Sequence, residues 1–161
     1  MVSSAIVASM ALMPGRVAFA TQTQQTLPVT ASISNTCAFG SVNPLAFGAY
    51  DPTILNASSG SDLSGSTTFT LTCTSGASIS IALDNGLHAS GGARYMQSAG
   101  TNLQYSLYQD SNHTTLWDNL TAEVVSGTGS PQTINLYGTI PKGQSEPNGS
   151  YSDTLTVTLT Y

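Results

Sequence analysis

The chain has 161 residues, enough for one domain with a substantial core. Charged residues make up only 7% against a usual value of about 25%. Three bases, Arg16, Arg94 and Lys142, face eight acids, so nothing here neutralises a run of phosphates and nucleic-acid binding is excluded. The surface must be made of Ser, Thr, Asn, Gln and Gly, a composition common in extracellular β proteins and unusual in cytosolic enzymes.

Residues 1–20 read as a secretory signal. Val2 to Met13 is mostly apolar or small, and Ala18-Phe19-Ala20 is an A-x-A cleavage site before the polar run that starts at Thr21. No Lys or Arg opens the segment and Pro14-Gly15-Arg16 interrupts it, while the apolar run is too short to span a bilayer. Residues 21–36 form an N-terminal segment in which Leu27, Val29, Ala31 and Ile33 alternate with small polar residues. This pattern predicts one long strand, or two in sequence, leading to Cys37. Residues 37–161 are expected to form the folded domain.

From Ala38 to Ser66 the chain is rich in Gly, Pro, Asn and Ser, a long connection tacked to the core by Phe39 and Phe47-Gly-Ala-Tyr50. Strands are predicted at Thr67–Thr74, with Phe69, Leu71 and Cys73 inward, and at Ser78–Leu83, with Ile79, Ile81 and Leu83 inward. Asp84-Asn85-Gly86 supplies the residues of a hairpin turn with positive φ. A weaker strand is placed at Arg94-Tyr95-Met96, and a clear one at Asn102–Tyr108 with Leu103, Tyr105 and Leu107 inward. Thr115-Leu116-Trp117 is a candidate short strand, Ser126–Pro131 a loop, and Thr133–Ile140 the next strand. The last run, Tyr151 to Tyr161, alternates Leu155, Val157 and Leu159 with threonines. No later strand covers it, so it presents an edge that invites another chain to pair. Short strands with frequent turns, and no helical periodicity beyond the signal, predict an all-β antiparallel sandwich.

Cys37 and Cys73 are the only cysteines, 36 positions apart, and one pair allows one connectivity. A structural disulfide fits an exported chain, whereas two free thiols would need a reducing compartment. Two sulfurs and two distant histidines are too few for a metal site, and no metal or other cofactor is expected. His88 and His113 lie in loop-like sequence, and no G-x-S-x-G elbow accompanies the many serines. Asp84-Asn85-Gly86 lacks the oxygen-ligand series of a calcium loop. Trp117, the sole tryptophan, is expected at the core edge; exposed, it would offer a sugar platform.

Several motifs together resemble the spore coat protein U domain, the family that includes subunits of archaic chaperone–usher pili. They are Cys37 with Phe39-Gly40, Leu71-Thr-Cys-Thr74 with Gly76, Ile81-Ala-Leu-Asp-Asn-Gly86 and Arg94-Tyr95-Met96. To these are added Leu103-Gln-Tyr-Ser-Leu-Tyr108, Trp117, Tyr137-Gly138 and the run from Gly149 to Tyr161. Asp118 stands where a glycine is expected. The resemblance covers about residue 30 to the end.

The resemblance implies an incomplete immunoglobulin-like sandwich that lacks its final strand. A periplasmic chaperone first fills the gap, and the N-terminal strand of a neighbouring subunit then replaces it, with an outer-membrane usher as a further partner. The acceptor groove would be lined by Leu155, Val157 and Leu159, with Phe69, Leu71, Leu103 and Leu107 from facing strands. Leu27, Val29, Ala31 and Ile33 would serve either as donor or as the domain's own first strand. The expected function is a non-enzymatic structural subunit of a surface fibre or coat, supporting adhesion or biofilm formation. A sugar-binding tip module and, last, a secreted hydrolase are the alternatives.

Overall fold

The computed structural model describes Gly15 and residues 19–161. The export signal expected over residues 1–20 therefore falls almost wholly outside the described residues. The chain divides into an N-terminal unit ending at Ser32 and a folded unit, Ile33–Tyr161. No helix among the described residues is long and apolar enough to cross a membrane.

The folded unit has eight strands and no helix among its residues. They are β1 (Cys37–Val42), β2 (Leu63–Cys73), β3 (Ser78–Leu83), β4 (Arg94–Ser98), β5 (Thr101–Tyr108), β6 (Glu123–Ser126), β7 (Gln132–Ile140) and β8 (Val157–Thr160). A five-stranded sheet runs β1-β2-β7-β5-β4 and a three-stranded sheet runs β6-β3-β8, with every pairing antiparallel. The period-two patterns of β2, β3 and β5 send Phe69, Leu71, Cys73, Ile79, Ile81, Leu83, Leu103, Tyr105 and Leu107 into one buried cluster between the sheets. Alternation makes each strand one-sided, and facing the two apolar sides together removes both from water.

Several boundaries differ from expectation. The first strand begins at Cys37, and residues 19–36 are in neither helix nor strand, so Leu27 to Ile33 is not spent on the sheet. β2 starts four residues early because Leu63 to Ser66 pair with Tyr137 to Ile140 of β7. Thr115-Leu116-Trp117 contributes only an isolated bridge, Leu116 to Tyr108, since Asp110 holds the preceding loop tight against Thr114 and Thr115. β6, which no apolar alternation announces, is a strand. Gly86 has the predicted positive φ of 80°, yet the turn closes no hairpin, because β3 and β4 lie in different sheets.

Two internal features fix the sandwich. Trp117 is completely buried, with its indole N–H donating to the Ile81 carbonyl at 3.0 Å. Arg94 is buried beside it and donates to the carbonyls of Trp117 at 2.6 Å and Asp84 at 2.6 Å. Backbone oxygens thus compensate the guanidinium, as a buried charge requires. The expectation of Trp117 at the core edge is corrected: it is a central core residue and offers no sugar platform.

The long connection after β1 is docked by missing side chains. Gly65 of β2 and Gly138 of β7 are direct partners across the ladder, and Leu45 and Phe47 rest on the flat spot they leave. A Cβ at Gly138 would sit 2.8 Å from the Phe47 ring. Phe47 also meets Tyr105 edge-on, with centroids 6.3 Å apart.

Candidate strand-addition site

The run Tyr151 to Thr160 keeps period-two burial along its whole length, with Tyr151, Asp153, Leu155, Val157 and Leu159 half-buried and the intervening residues exposed. Its backbone partners change along the way. Ser152 bridges Gln97 of β4 through hydrogen bonds of 2.9 and 3.3 Å. Thr154 and Thr156 accept from Leu87 and Asp84 at 3.2 and 3.0 Å. Val157 to Thr160 then pair with Leu83 to Ser80 of β3. The segment begins against the five-stranded sheet and ends as the margin of the three-stranded one.

The register shows which backbone groups of β8 are free. The Asp84 N–H to Thr156 C=O bond makes these residues a hydrogen-bonded pair, and in an antiparallel ladder such pairs alternate with non-bonded ones. Thr158 and Thr160 therefore face β3, while the N–H and C=O of Val157 and Leu159 point away from it. Among the described residues these outward groups have no partner. Edge groups of this kind are a template for another strand.

The residues expected to line the acceptor groove fall into two sets. Leu155, Val157 and Leu159 pack on the core while staying half-buried. Phe69, Leu71, Leu103 and Leu107 are buried in the core cluster and present no exposed wall. Near the start of the terminal run, a cavity of about 700 Å³ opens between residues 45–52 and 146–151. Met96, Leu103 and Tyr151 line it together with Leu45, Phe47 and Tyr50. The part played there by residues 45–50 is invisible without knowing that Gly65 and Gly138 pair.

The terminal run is anchored by Asp153, whose side chain is 2% exposed. It accepts from the Tyr105 hydroxyl at 2.6 Å and the Leu87 N–H at 3.0 Å, and its Oδ1 lies 2.9 Å from His88 Nδ1. Burial, then the bond to Asp153, pushes the Tyr105 hydroxyl well above the ordinary tyrosine range. That group therefore stays protonated and donating. Sequence spacing gives no hint of this cluster, because its members come from three separate segments.

A disulfide joins Cys37 and Cys73, direct partners in the β1–β2 ladder. The candidate donor residues lie just ahead of it. Leu27, Val29 and Ile33 are 86%, 87% and 89% exposed, and Ala31 is exposed too.

Two antiparallel sheets of five and three strands, closed over a tryptophan-centred core, define an immunoglobulin-like sandwich of the kind found in pilins. The Spore Coat Protein U domain matches residues 23–158, and the chain belongs to that family. It is 33% identical over 171 aligned positions to Protein U of Myxococcus xanthus, covering 98% of this chain and 96% of that protein. Among solved structures it is similar to one in a chaperone–tip adhesion subunit pre-assembly complex, CsuC–CsuE, from archaic chaperone–usher Csu pili of Acinetobacter baumannii. There the TM-score is 0.59 and the identity 19%, with 80% of this chain covered and only 40% of that one. The P pilus rod subunit PapA is similar at a TM-score of 0.55 and 15% identity, over 78% of this chain and 98% of that one. At such identities the solved structures speak to the fold alone.

Proposed function

We propose that this chain is an exported structural subunit of a chaperone–usher type surface fibre or of a coat, assembled by β-strand addition and without catalytic activity. The observation that carries the reading is a pairing of features within one chain. An N-terminal segment in neither helix nor strand exposes Leu27, Val29, Ala31 and Ile33 on alternate positions, and the β8 edge turns the backbone of Val157 and Leu159 outward. Donor residues of one copy would pair with β8 of the next, their side chains covering Leu155, Val157 and Leu159 over the core residues Phe69, Leu71, Leu103 and Leu107. In transit, a periplasmic chaperone would cover the same edge and an outer-membrane usher would receive the subunit; the fibre or coat would then support adhesion or biofilm formation. The Spore Coat Protein U domain match over residues 23–158 supports a coat or fibre subunit.

Magnitudes suit a durable assembly. Burying Leu27, Val29 and Ile33 at about 1.5–3 kcal/mol each gives roughly 4.5–9 kcal/mol before ordering costs. Ladder hydrogen bonds add register rather than much net energy.

The test adds a synthetic peptide of residues 21–36 to the purified chain. The expected result is a rise in the unfolding midpoint that grows with peptide concentration, with new exchange protection at the Val157 and Leu159 amides. A peptide carrying Leu27→Asp and Val29→Asp should do neither. Unchanged stability and exchange with the native peptide would refute the reading.

A further inference from the structure

The three-stranded sheet has a second margin, β6, and it is built differently from β8. The Gly127 N–H donates to the Ala77 carbonyl at 2.8 Å, so by the same alternation Val125 and Glu123 bond to β3 while Val124 and Ser126 turn their backbone outward. One of those outward groups is already taken. The Gln132 side-chain amide donates to the Ser126 carbonyl at 3.0 Å, and its oxygen accepts the Thr128 N–H at 3.2 Å. Gln132 thus occupies the position where an added strand would donate.

The second device is a charge. Glu123 shares the inward face of β6 with Val125, which packs on the core. Its Oε2 is shut off from solvent and has no hydrogen-bond partner among the described residues. Burial alone raises the carboxyl's affinity for its proton, with no charged neighbour contributing. The residue as a whole remains half-buried, so the carboxyl is not wholly withdrawn from water. A strand laid on β6 would remove that water and leave a charge buried without a partner, which is strongly unfavourable. Inward-pointing charge on a short margin is a recognised means of keeping strands from pairing.

We propose that β6 is a sealed margin, closed by Gln132 and Glu123, so that this sheet accepts one strand only and only at β8. The proposal deepens the strand-addition reading and rests on it: with β6 closed, the three-stranded sheet takes a single donor strand, at β8. On β8 no side chain among the described residues caps the outward groups of Val157 and Leu159.

The test compares the full chain with Glu123→Val/Gln132→Ala and, as an isosteric control for folding, Glu123→Gln/Gln132→Ala. Residue-resolved amide exchange is read with and without the peptide of residues 21–36, and self-association by sedimentation. In the native chain, peptide should protect Val157 and Leu159 and leave Val124 and Ser126 unchanged. In both double variants Val124 and Ser126 should gain about tenfold protection, from peptide or from a second copy, and self-association should rise. Adding Val157→Pro to block β8 should leave that gain intact. Protection of Val124 and Ser126 in the native chain, or its absence in folded double variants, would overturn the proposal. If peptide fails to protect β8, the strand-addition reading falls, while self-association of the variants through β6 still reports on the seal.

Discussion

The Tyr105 hydroxyl donates to the Asp153 carboxylate at 2.6 Å, tying the inner face of β5 to the run that becomes β8. Tyr105 is 3% exposed, so this bond forms away from competing water. It holds the root of β8 in place while the strand's outer margin stays unpaired. Tyr105→Phe leaves a buried carboxylate short of a donor and should cost about 1–3 kcal/mol. Asp153→Ala should cost at least as much and also loosen Leu87 and His88. Urea unfolding measures both, and amide exchange along residues 154–160 should quicken in each variant.

Trp117 fills the centre of the core, and truncation there removes its packing against Phe69 (centroids 6.2 Å apart) and its bond to Ile81. Trp117→Ala should lose about 3–5 kcal/mol, observed as a lower denaturation midpoint. Trp117→Phe keeps most of the volume and should lose less. Any change in glycan binding by these variants should track unfolding.

Gly138→Ala places a methyl group against Phe47, Leu45 and Leu107. Overpacking of this kind should destabilise by about 1–3 kcal/mol. Phe47→Leu in the same chain should recover part of the loss, and a double-mutant cycle measures the coupling. Additive effects would show that Phe47 does not rest on the glycine.

Removing the disulfide with Cys37→Ala/Cys73→Ala opens the loop between residues 36 positions apart. In the chain-entropy account this costs roughly 3.5–4 kcal/mol. The double variant should unfold at lower denaturant, and reducing agent should lower the native midpoint and leave the variant's unchanged.

Asp110 accepts the N–H groups of Asn112, Thr114 and Thr115. The Thr115 bond foremost holds its carboxyl down at about 2. A folded value below the unfolded one means that the stabilising contribution is complete above about pH 4 and is lost as pH falls toward 2. Carboxyl NMR should place its midpoint near 2, and Asp110→Asn should flatten the acid limb of the stability curve.

Much of the molecule is legible along the chain because strands carry their own evidence. Alternation at Phe69-Leu71-Cys73, Ile79-Ile81-Leu83 and Leu103-Tyr105-Leu107 names the inward residues before any pairing is known, since a side chain's face depends only on position parity. The disulfide followed from there being two cysteines. The short β6 is not legible along the chain because Glu123 breaks its apolar pattern.

The sequence by itself determined the all-β class, the inward faces, the cross-link and the family, because local periodicity and residue chemistry are enough for these. Tertiary structure decided which margins are open. It used Leu27 to Ile33 in no sheet, brought Tyr105, His88 and Asp153 together, docked Phe47 on paired glycines and left Val157 and Leu159 facing outward. Those outcomes depend on register and sheet order, which long-range pairing fixes and no single stretch of chain encodes.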